Sequence, residues 1–197
     1  MKLYYAPGAC SLADHIALIE TGERFDIEKV DLKAKRTETG ADFSAINPKG
    51  YVPALQLEDG TVLTENIAVL SYLADRAGSL LPDNGMRRWR VLETTAFVST
   101  ELHKNFKPFF SPDADDERKA EARAILEKRF AYLDERLGDR DYIVEDEMSI
   151  ADCYLFVTLR WAKEVANIRL PARLDAYFAR LRERPSIQKA MESEGIA

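Results

Sequence analysis

The sequence is poor in cysteine and histidine, and it has no long apolar run. Its 197 residues include two histidines and two cysteines, Cys10 and Cys153, which lie far apart. Cysteines placed like this match neither a zinc site nor a disulfide framework, and their scarcity is typical of a cytoplasmic protein. No apolar stretch approaches the roughly 18 residues of a membrane-spanning helix. Met1-Lys2-Leu3 enters a strand pattern without the layout of a signal peptide. We therefore expect no metal and no membrane partner.

The chain also lacks an excess of positive charge. It has 28 lysines and arginines against 34 aspartates and glutamates, a net charge of −6. The densest basic cluster, Arg87-Arg88-Trp89-Arg90, fits the solvated first turns of a helix. Because a nucleic-acid-binding surface needs a basic stripe, we expect no nucleic-acid partner. The remaining composition is that of a globular chain with one large domain or two small ones.

Strand and helix patterns alternate in residues 1–78. A short apolar strand opens the chain, a helix follows Cys10, and residues 25–32 form a second strand candidate. Asp59-Gly60 predicts a tight hairpin, and Thr64 can cap a helix that ends near Ala77. The order β-α-β-loop-β-β-α predicts a small domain with a mixed sheet.

The rest of the chain shows helical patterns only. Residues 79–85 have the glycine, proline and polar content of a linker, and residues 86–197 are expected to form an all-helical domain. The sequence Ser149-Ile150-Ala151-Asp152 is a capping box in its aspartate form, and it should open a buried central helix. The expected helices cover residues 86–107 with a break before Pro108, residues 116–137, residues 150–161, and an amphipathic stretch that ends before Pro185.

One cysteine stands where the first helix begins, in Tyr5-Ala6-Pro7-Gly8-Ala9-Cys10-Ser11. The unpaired N–H groups and the positive end of the dipole at a helix start stabilise a thiolate, which is the reactive form of cysteine. A small buried cysteine of no catalytic consequence is the alternative, and both interpretations remain open at this point.

The pair Val52-Pro53 places a proline at a strand entrance. A cis bond there would turn the N–H and C=O of Val52 outward, where an extended peptide ligand could pair with them as an additional strand. A trans bond is the more frequent form, and the sequence alone favours it.

Two further stretches carry groups suited to a charged ligand. At Leu63-Thr64-Glu65-Asn66, the helix start could hold a carboxylate and Glu65 an ammonium group, although ordinary capping also explains the pattern. In Glu101-Leu102-His103-Lys104, the histidine could donate a hydrogen bond or a proton near a thiolate, whereas a solvated helix face is the alternative.

Taken together, these motifs resemble the bacterial beta-class glutathione transferases over the whole chain. A cysteine in the first strand–helix turn combined with His103-Lys104 is specific to that class, because most sister classes use tyrosine or serine. The matching stretches are residues 1–12, Val30-Asp31-Leu32 with Lys35, residues 46–53, Leu63-Thr64-Glu65, residues 100–104, residues 149–152 and residues 159–162.

This resemblance implies a thioredoxin-like α/β amino-terminal domain, an all-α carboxy-terminal domain and a homodimer. It implies glutathione as cosubstrate, with no metal, and the addition of its thiolate to small hydrophobic electrophiles as a detoxification reaction in the cytoplasm. The alternatives are a glutathione-dependent disulfide reductase or peroxidase that uses Cys10 through a mixed disulfide, and a non-catalytic binding protein of the same fold.

The resemblance also implies roles for individual residues. Catalysis would involve Cys10, Ser11 and His103. The binding residues would be Tyr5, Lys35, Val52, a cis Pro53, Glu65, Asn66, Lys104, Trp161 beside the electrophile, and Thr100 and Glu101 from the partner subunit. The chain departs from the family pattern at Asn66, where a small residue is common, and at Ala96, where asparagine is frequent.

Overall fold

Two compact units make up the chain. The computed structural model describes residues 1–144 and 146–197. One unit contains Met1–Asp83 together with Arg184–Ala197, and the other contains Asn84–Glu183. The first has a sheet with helices, and the second has only helices among its described residues. The prediction of a mixed-sheet domain followed by a helical domain is therefore confirmed.

The sheet of the first unit is mixed. Its strands are β1 (Lys2–Tyr5), β2 (Asp26–Asp31), β3 (Arg36–Thr37), β4 (Ala54–Gln56) and β5 (Val62–Thr64), in the order β3-β2-β1-β4-β5. The first three helices are α1 (Ser11–Glu20), α2 (Phe43–Ile46) and α3 (Asn66–Ala77). The central strand β1 runs parallel to β2 and antiparallel to β4, with Leu3 opposite Ile27 and Leu55. Leu3 and Leu55 are fully buried, as the apolar pattern of β1 predicts.

The hairpin and the helix after it differ in how well the sequence predicts them. Asp59-Gly60 forms the turn between β4 and β5, and the N–H of Leu57 donates to the carbonyl of Thr61 at 2.8 Å. Thr64, however, ends β5 and does not cap α3. Glu65 occupies the cap position with φ 74°, a left-handed conformation, and its side chain makes no capping bond. The predicted threonine cap is wrong because the chain bends sharply at Glu65 before the helix begins.

The second unit is built around one buried helix. Its helices are α4 (Gly85–Phe97), α5 (Lys107–Phe110), α6 (Asp116–Leu137), α7 (Ile150–Glu164) and α8 (Ala172–Arg182). Every residue of α7 from Ile150 to Leu159 is buried, and the Ser149–Asp152 capping box is present. Asp152 also accepts from the hydroxyl of Tyr177 at 2.7 Å. The predicted central helix and its cap are confirmed.

The helix predicted over residues 86–107 changes its winding along its length. A π-helical turn, Val98–Leu102, follows α4, and a 3₁₀ turn, His103–Phe106, precedes α5. Pro108 does not end the helical stretch, because it lies in the first turn of α5, where a missing N–H costs no hydrogen bond.

The last helix, α9 (Pro185–Glu194), belongs to the first unit. It packs on α1 through buried side chains that include Ile187. Glu194 accepts from the N–H of Gly8 at 2.9 Å and bonds to Nδ1 of His15 at 3.0 Å. The predicted second domain ran to residue 197. The compact units instead divide at Arg184, because α9 finds its apolar partner in α1.

Candidate functional site

Cys10 lies just before α1, at the end of the loop that follows β1. It is 9 % exposed, and its S–H donates to the carbonyl oxygen of Val52 at 3.3 Å. Burial raises the pKa of the Cys10 thiol to about 12, and the neighbouring Asp14 carboxyl raises it further. The backbone N–H groups of Cys10 and Ser11 act in the opposite direction and lower this pKa. In the protein without ligand, burial outweighs the helix start and favours the protonated thiol of Cys10.

The hydroxyl of Ser11 is fully buried and is used within the loop. It accepts from the N–H of Ala6 at 3.3 Å and donates to the carbonyl of the same residue at 3.5 Å. Tyr5, expected to line the site, is also buried, with its ring 6.2 Å from that of His15. Both side chains lie on the inner side of the loop, and their expected roles at the site stay predictions.

The amide of Asn66 connects two parts of α1. Its Nδ2 donates to the carbonyl of Cys10 at 2.9 Å and to Oδ2 of Asp14 at 2.8 Å. Burial raises the pKa of Asp14 well above its usual range, while Oδ1 has no hydrogen-bond partner among the described residues. Because the amide donates to both partners in the interior, a ligand contact of Asn66 would use its backbone N–H, and its expected role in binding stays a prediction.

The peptide bond between Val52 and Pro53 is cis. The sequence alone favoured the trans form, whereas the family resemblance implied the cis form. The preceding loop is held from two sides: Nδ2 of Asn47 donates to the carbonyl of Tyr51 at 2.7 Å, and Nζ of Lys35 donates to the carbonyl of Gly50 at 2.6 Å. Lys35, Val52 and Pro53 thus come together around one loop of the first unit.

Glu65 is exposed and holds two side chains from that loop. Its Oε1 accepts from Nζ of Lys49 at 2.6 Å and from the hydroxyl of Tyr51 at 2.7 Å. These two hydrogen bonds, Lys49 first, lower the pKa of Glu65, so the carboxylate is ionised at neutral pH. Sequence reasoning did not single out Lys49 or Tyr51, because their contacts to Glu65 form only in the folded chain.

His103 in the second unit is half-buried against other rings. Its Nδ1 lies 2.5 Å from the hydroxyl of Tyr154, and its ring centre lies 5.0 Å from that of Trp161. Burial lowers the pKa of His103 to about 4, and the positive charge of Lys104 acts in the same direction. His103 is therefore neutral at pH 7, where it can still form hydrogen bonds through its ring nitrogens. Lys104 itself is exposed.

Trp161 is the centre of an aromatic cluster in the second unit. It is buried, with its ring 5.5 Å from that of Phe106 and 5.1 Å from that of Phe110. Phe106 is fully buried and Phe110 is exposed. The cluster presents its apolar surface mainly through Phe110.

Thr100 and Glu101 lie in the π-helical turn after α4. Thr100 is exposed, and its hydroxyl donates to the carbonyl of Ala96 at 3.0 Å. Glu101 forms an ion pair with Arg129 at 2.7 Å. Both side chains thus bind partners within their own unit, Ala96 and Arg129.

Two absences concern the described residues only. Within 1–144 and 146–197, no group of three or more histidine, cysteine or acidic side chains could hold a metal ion. No helix in the same residues combines the length and the apolar character needed to cross a membrane.

The chain matches known proteins over its full length. The family descriptions "Glutathione S-transferase, N-terminal domain" and "Glutathione S-transferase, C-terminal domain" match residues 9–76 and 97–185. It is 47 % identical to glutathione S-transferase GstA of Escherichia coli O157:H7, over 100 % of both chains. It is 38 % identical to glutathione S-transferase GST-4.5 of Xanthomonas campestris pv. campestris, again over 100 % of both.

Solved structures of glutathione S-transferases resemble this chain as well. A bacterial beta-class glutathione S-transferase from Sphingomonas chungbukensis is 44 % identical, with a TM-score of 0.94 over 100 % of both chains. A sphingomonad glutathione S-transferase complexed with glutathione is also 44 % identical, with a TM-score of 0.93 over 100 % of both. The expected combination of a thioredoxin-like unit with an all-helical unit is confirmed by these matches.

Proposed function

The chain belongs to the glutathione S-transferase family, and on that premise we propose that its first unit binds glutathione between the Val52 loop and the start of α3. The chain is a glutathione S-transferase, and glutathione is its cosubstrate. The reaction is attack of the glutathione thiolate on a small hydrophobic electrophile, by nucleophilic addition or by aromatic substitution with loss of a leaving group. It needs no metal, because the nucleophile is the thiolate of the cosubstrate itself. The sequence favours a cytoplasmic detoxification role.

The peptide part of glutathione pairs with Val52 in this proposal. Strand β4 begins only at Ala54, after a proline that has no N–H to donate, so the backbone of Val52 lies outside the ladder. The carbonyl of Val52 has a second lone pair beside the one that Cys10 uses. An extended cysteinyl residue can therefore hydrogen-bond to Val52 as an additional strand.

The γ-glutamyl end of glutathione lies at Glu65 in this proposal. Glu65 holds a left-handed φ of 74°, which is rare for a residue with a side chain and typical of functional sites. Its carboxylate is exposed and can accept the ammonium group. The first N–H groups of α3, which have no partners within the helix, can bind the α-carboxylate.

We place the sulfur of glutathione at Cys10, and the observation that carries this proposal is the position of Cys10 Sγ, 3.3 Å from the carbonyl oxygen of Val52. A thiol with a pKa of about 12 is a poor nucleophile at pH 7, but it remains a hydrogen-bond donor. Its S–H can turn from Val52 to a glutathione thiolate. The N–H groups of Cys10 and Ser11, which already favour negative charge at this sulfur, can support the thiolate as well. This arrangement favours conjugation over a redox reaction at Cys10.

Lys35, His103, Lys104 and Trp161 complete the proposed site. Lys35 would leave the carbonyl of Gly50 and take the glycyl carboxylate. His103 would act as a neutral hydrogen-bonding ring, with Lys104 as a nearby positive charge. Trp161 would wall the electrophile pocket together with the more exposed Phe110.

A homodimer completes the proposal, with Thr100 and Glu101 reaching the glutathione of the partner. The second unit exposes large apolar side chains on α4, where Met86 is 67 % and Trp89 is 62 % exposed. On α6, Tyr132 is also exposed. Such a concentration of exposed apolar side chains is typical of an interaction surface.

Replacement of Glu65 tests the proposed site. Glu65→Gln keeps the shape but removes the charge that holds the ammonium group. We expect the KM for glutathione to rise about 10- to 100-fold, because a hydrogen bond between charged groups contributes about 1.5–3 kcal/mol. The assay is the conjugation of glutathione to 1-chloro-2,4-dinitrobenzene, with binding checked by calorimetry. Glu58→Gln, a change at an exposed glutamate near the β4–β5 turn, is the control. An unchanged KM in Glu65→Gln would contradict the proposed site.

A further inference from the structure

We propose that Lys49 binds the α-carboxylate of the γ-glutamyl end of glutathione, and that Tyr51 holds Glu65 in place for the adjacent ammonium group. The inference rests on the proposed function, because it assigns two further residues to the same site.

Lys49 and Tyr51 leave one oxygen of Glu65 available. Both donate to Oε1, at 2.6 Å and 2.7 Å. No donor to Oε2 is present among residues 1–144 and 146–197. The carboxylate is thereby oriented with one oxygen held by the protein and the other directed away from both donors. A ligand ammonium group can bind at Oε2 without displacing Tyr51.

The charges of Lys49 and Glu65 match the charges of the ligand end. The γ-glutamyl end carries an ammonium and a carboxylate group on one carbon atom. Lys49 and Glu65 present one positive and one negative charge side by side, with side chains 47 % and 53 % exposed. An ion pair this exposed is weak, so its two members can exchange partners easily. Glu65 then takes the ammonium group while Lys49 takes the carboxylate.

The Asn66 side chain points inward, so it donates no hydrogen bond to the α-carboxylate of the ligand. Both N–H bonds of that amide go to Cys10 and Asp14 in the interior. The start of α3 therefore offers only backbone N–H groups to the carboxylate. Nζ of Lys49 lies close to the start of α3, because it also donates to Oγ1 of Thr64 at 2.9 Å, and Thr64 is two residues before Asn66. Lys49 supplies the cation that this helix start lacks.

The loop that carries Lys49 and Tyr51 is held before any ligand arrives. The N–H of Lys49 donates to Oδ1 of Asn47 at 3.1 Å, and Nδ2 of Asn47 donates to the carbonyl of Tyr51 at 2.7 Å. Between them, the carbonyl of Gly50 accepts from Lys35. Because the backbone is fixed, only the side chain of Lys49 must be ordered when the ligand binds, which keeps the entropic cost small.

The test compares Lys49→Met with the wild type on two ligands. Calorimetry measures the binding of glutathione and of 4-aminobutanoyl-cysteinylglycine, which lacks only the α-carboxylate. We expect Lys49→Met to bind glutathione about 5- to 20-fold more weakly, and to bind the analogue within about twofold of the wild type. Lys33→Met, a change at an exposed lysine of the same unit, should leave both affinities unchanged.

Tyr51→Phe separates the role of Tyr51 from that of Lys49. Loss of the hydroxyl loosens Glu65, so the binding of glutathione and of the analogue without the carboxylate should weaken alike, about threefold. Glutaryl-cysteinylglycine lacks the ammonium group, and its affinity should not change in this variant.

The outcomes distinguish this inference from the proposed function. If the wild type binds glutathione but Lys49→Met weakens both ligands equally, Lys49 only supports the loop and the assignment is overturned. Tighter binding of glutathione by Lys49→Met would make Lys49 a competitor for Glu65 and would overturn it as well. If the wild type binds no glutathione, the proposed function fails, and this inference fails with it.

Discussion

The thiol of Cys10 is protonated at neutral pH, and its S–H donates a hydrogen bond to the carbonyl oxygen of Val52. In the proposed conjugation reaction, Cys10 would be one hydrogen-bond donor among several, with the N–H groups of Cys10 and Ser11 as the others. In a disulfide reductase, by contrast, the sulfur of Cys10 itself must form and break a bond to glutathione, and no other group can replace it. The two activities therefore depend on this side chain to different degrees.

Cys10→Ala measures that difference. We expect conjugation to fall only about five- to tenfold, because one weak S–H donor contributes about 1 kcal/mol. Any mixed disulfide that the wild type forms with oxidised glutathione should be absent from the variant. A conjugation assay measures the first effect, and mass spectrometry of the intact protein the second. Cys153→Ala is the control. Loss of conjugation as complete as the loss of the adduct would contradict a shared donor role.

His103 gives the stability of the protein a defined pH dependence. Its pKa is about 4 in the folded protein, against 6.5 for a free histidine. Below pH 6.5 the unfolded chain takes up a proton that the folded chain refuses, so the stabilisation by neutral His103 is complete above pH 6.5. It decreases as the pH falls from 6.5 to about 4.

His103→Gln removes this titration. We expect the wild type to lose up to about 3 kcal/mol more than the variant in the free energy of unfolding between pH 7 and pH 4. Urea unfolding of both proteins across this range measures the difference. Between pH 7.5 and 8.5, where His103 does not titrate, the two curves should run parallel and serve as the control. Parallel curves below pH 6.5 would show that burial does not suppress protonation of this ring.

Elements with a strong local signal were predictable from the sequence. The capping box before α7, the Asp59-Gly60 turn and the length of α6 needed no knowledge of the rest of the chain. Elements that depend on distant partners were not. Strand β3 has two residues and exists because it pairs with β2. Helix α9 begins with Pro185, which the sequence suggested only as the end of the helix before it.

The candidate site shows the same division. Cys10, Val52 and Glu65 were predictable because each lies at a strand or helix boundary with a recognisable motif. The partners of their side chains were not predictable. The inward turn of Asn66 and the contacts of Lys49 depend on tertiary packing. So does the protonation of Cys10, since the burial that sets it comes from residues far away in the sequence.

At the scale of the whole molecule, the exposed apolar side chains of α4 and α6 support a dimer. Sedimentation at micromolar concentration should give about twice the 22.4 kDa of one chain. Trp89→Glu should favour the monomer, because it places a charge among the exposed apolar side chains, whereas Ala179→Glu on the exposed face of α8 should leave the dimer intact. A wild-type monomer would remove Glu101 from the proposed site of the partner.

Because α9 belongs to the first unit, that unit is complete only after the second unit has been synthesised. A ribosome delivers residues 1–83 first, but the carboxylate that holds Gly8 and His15 belongs to Glu194, which emerges only after the whole second unit. The loop before Cys10 therefore lacks this anchor until Glu194 has been synthesised. In a chain cut after Glu183, the face of α1 that Ile187 covers would be open to water, although every residue proposed to contact glutathione would still be present.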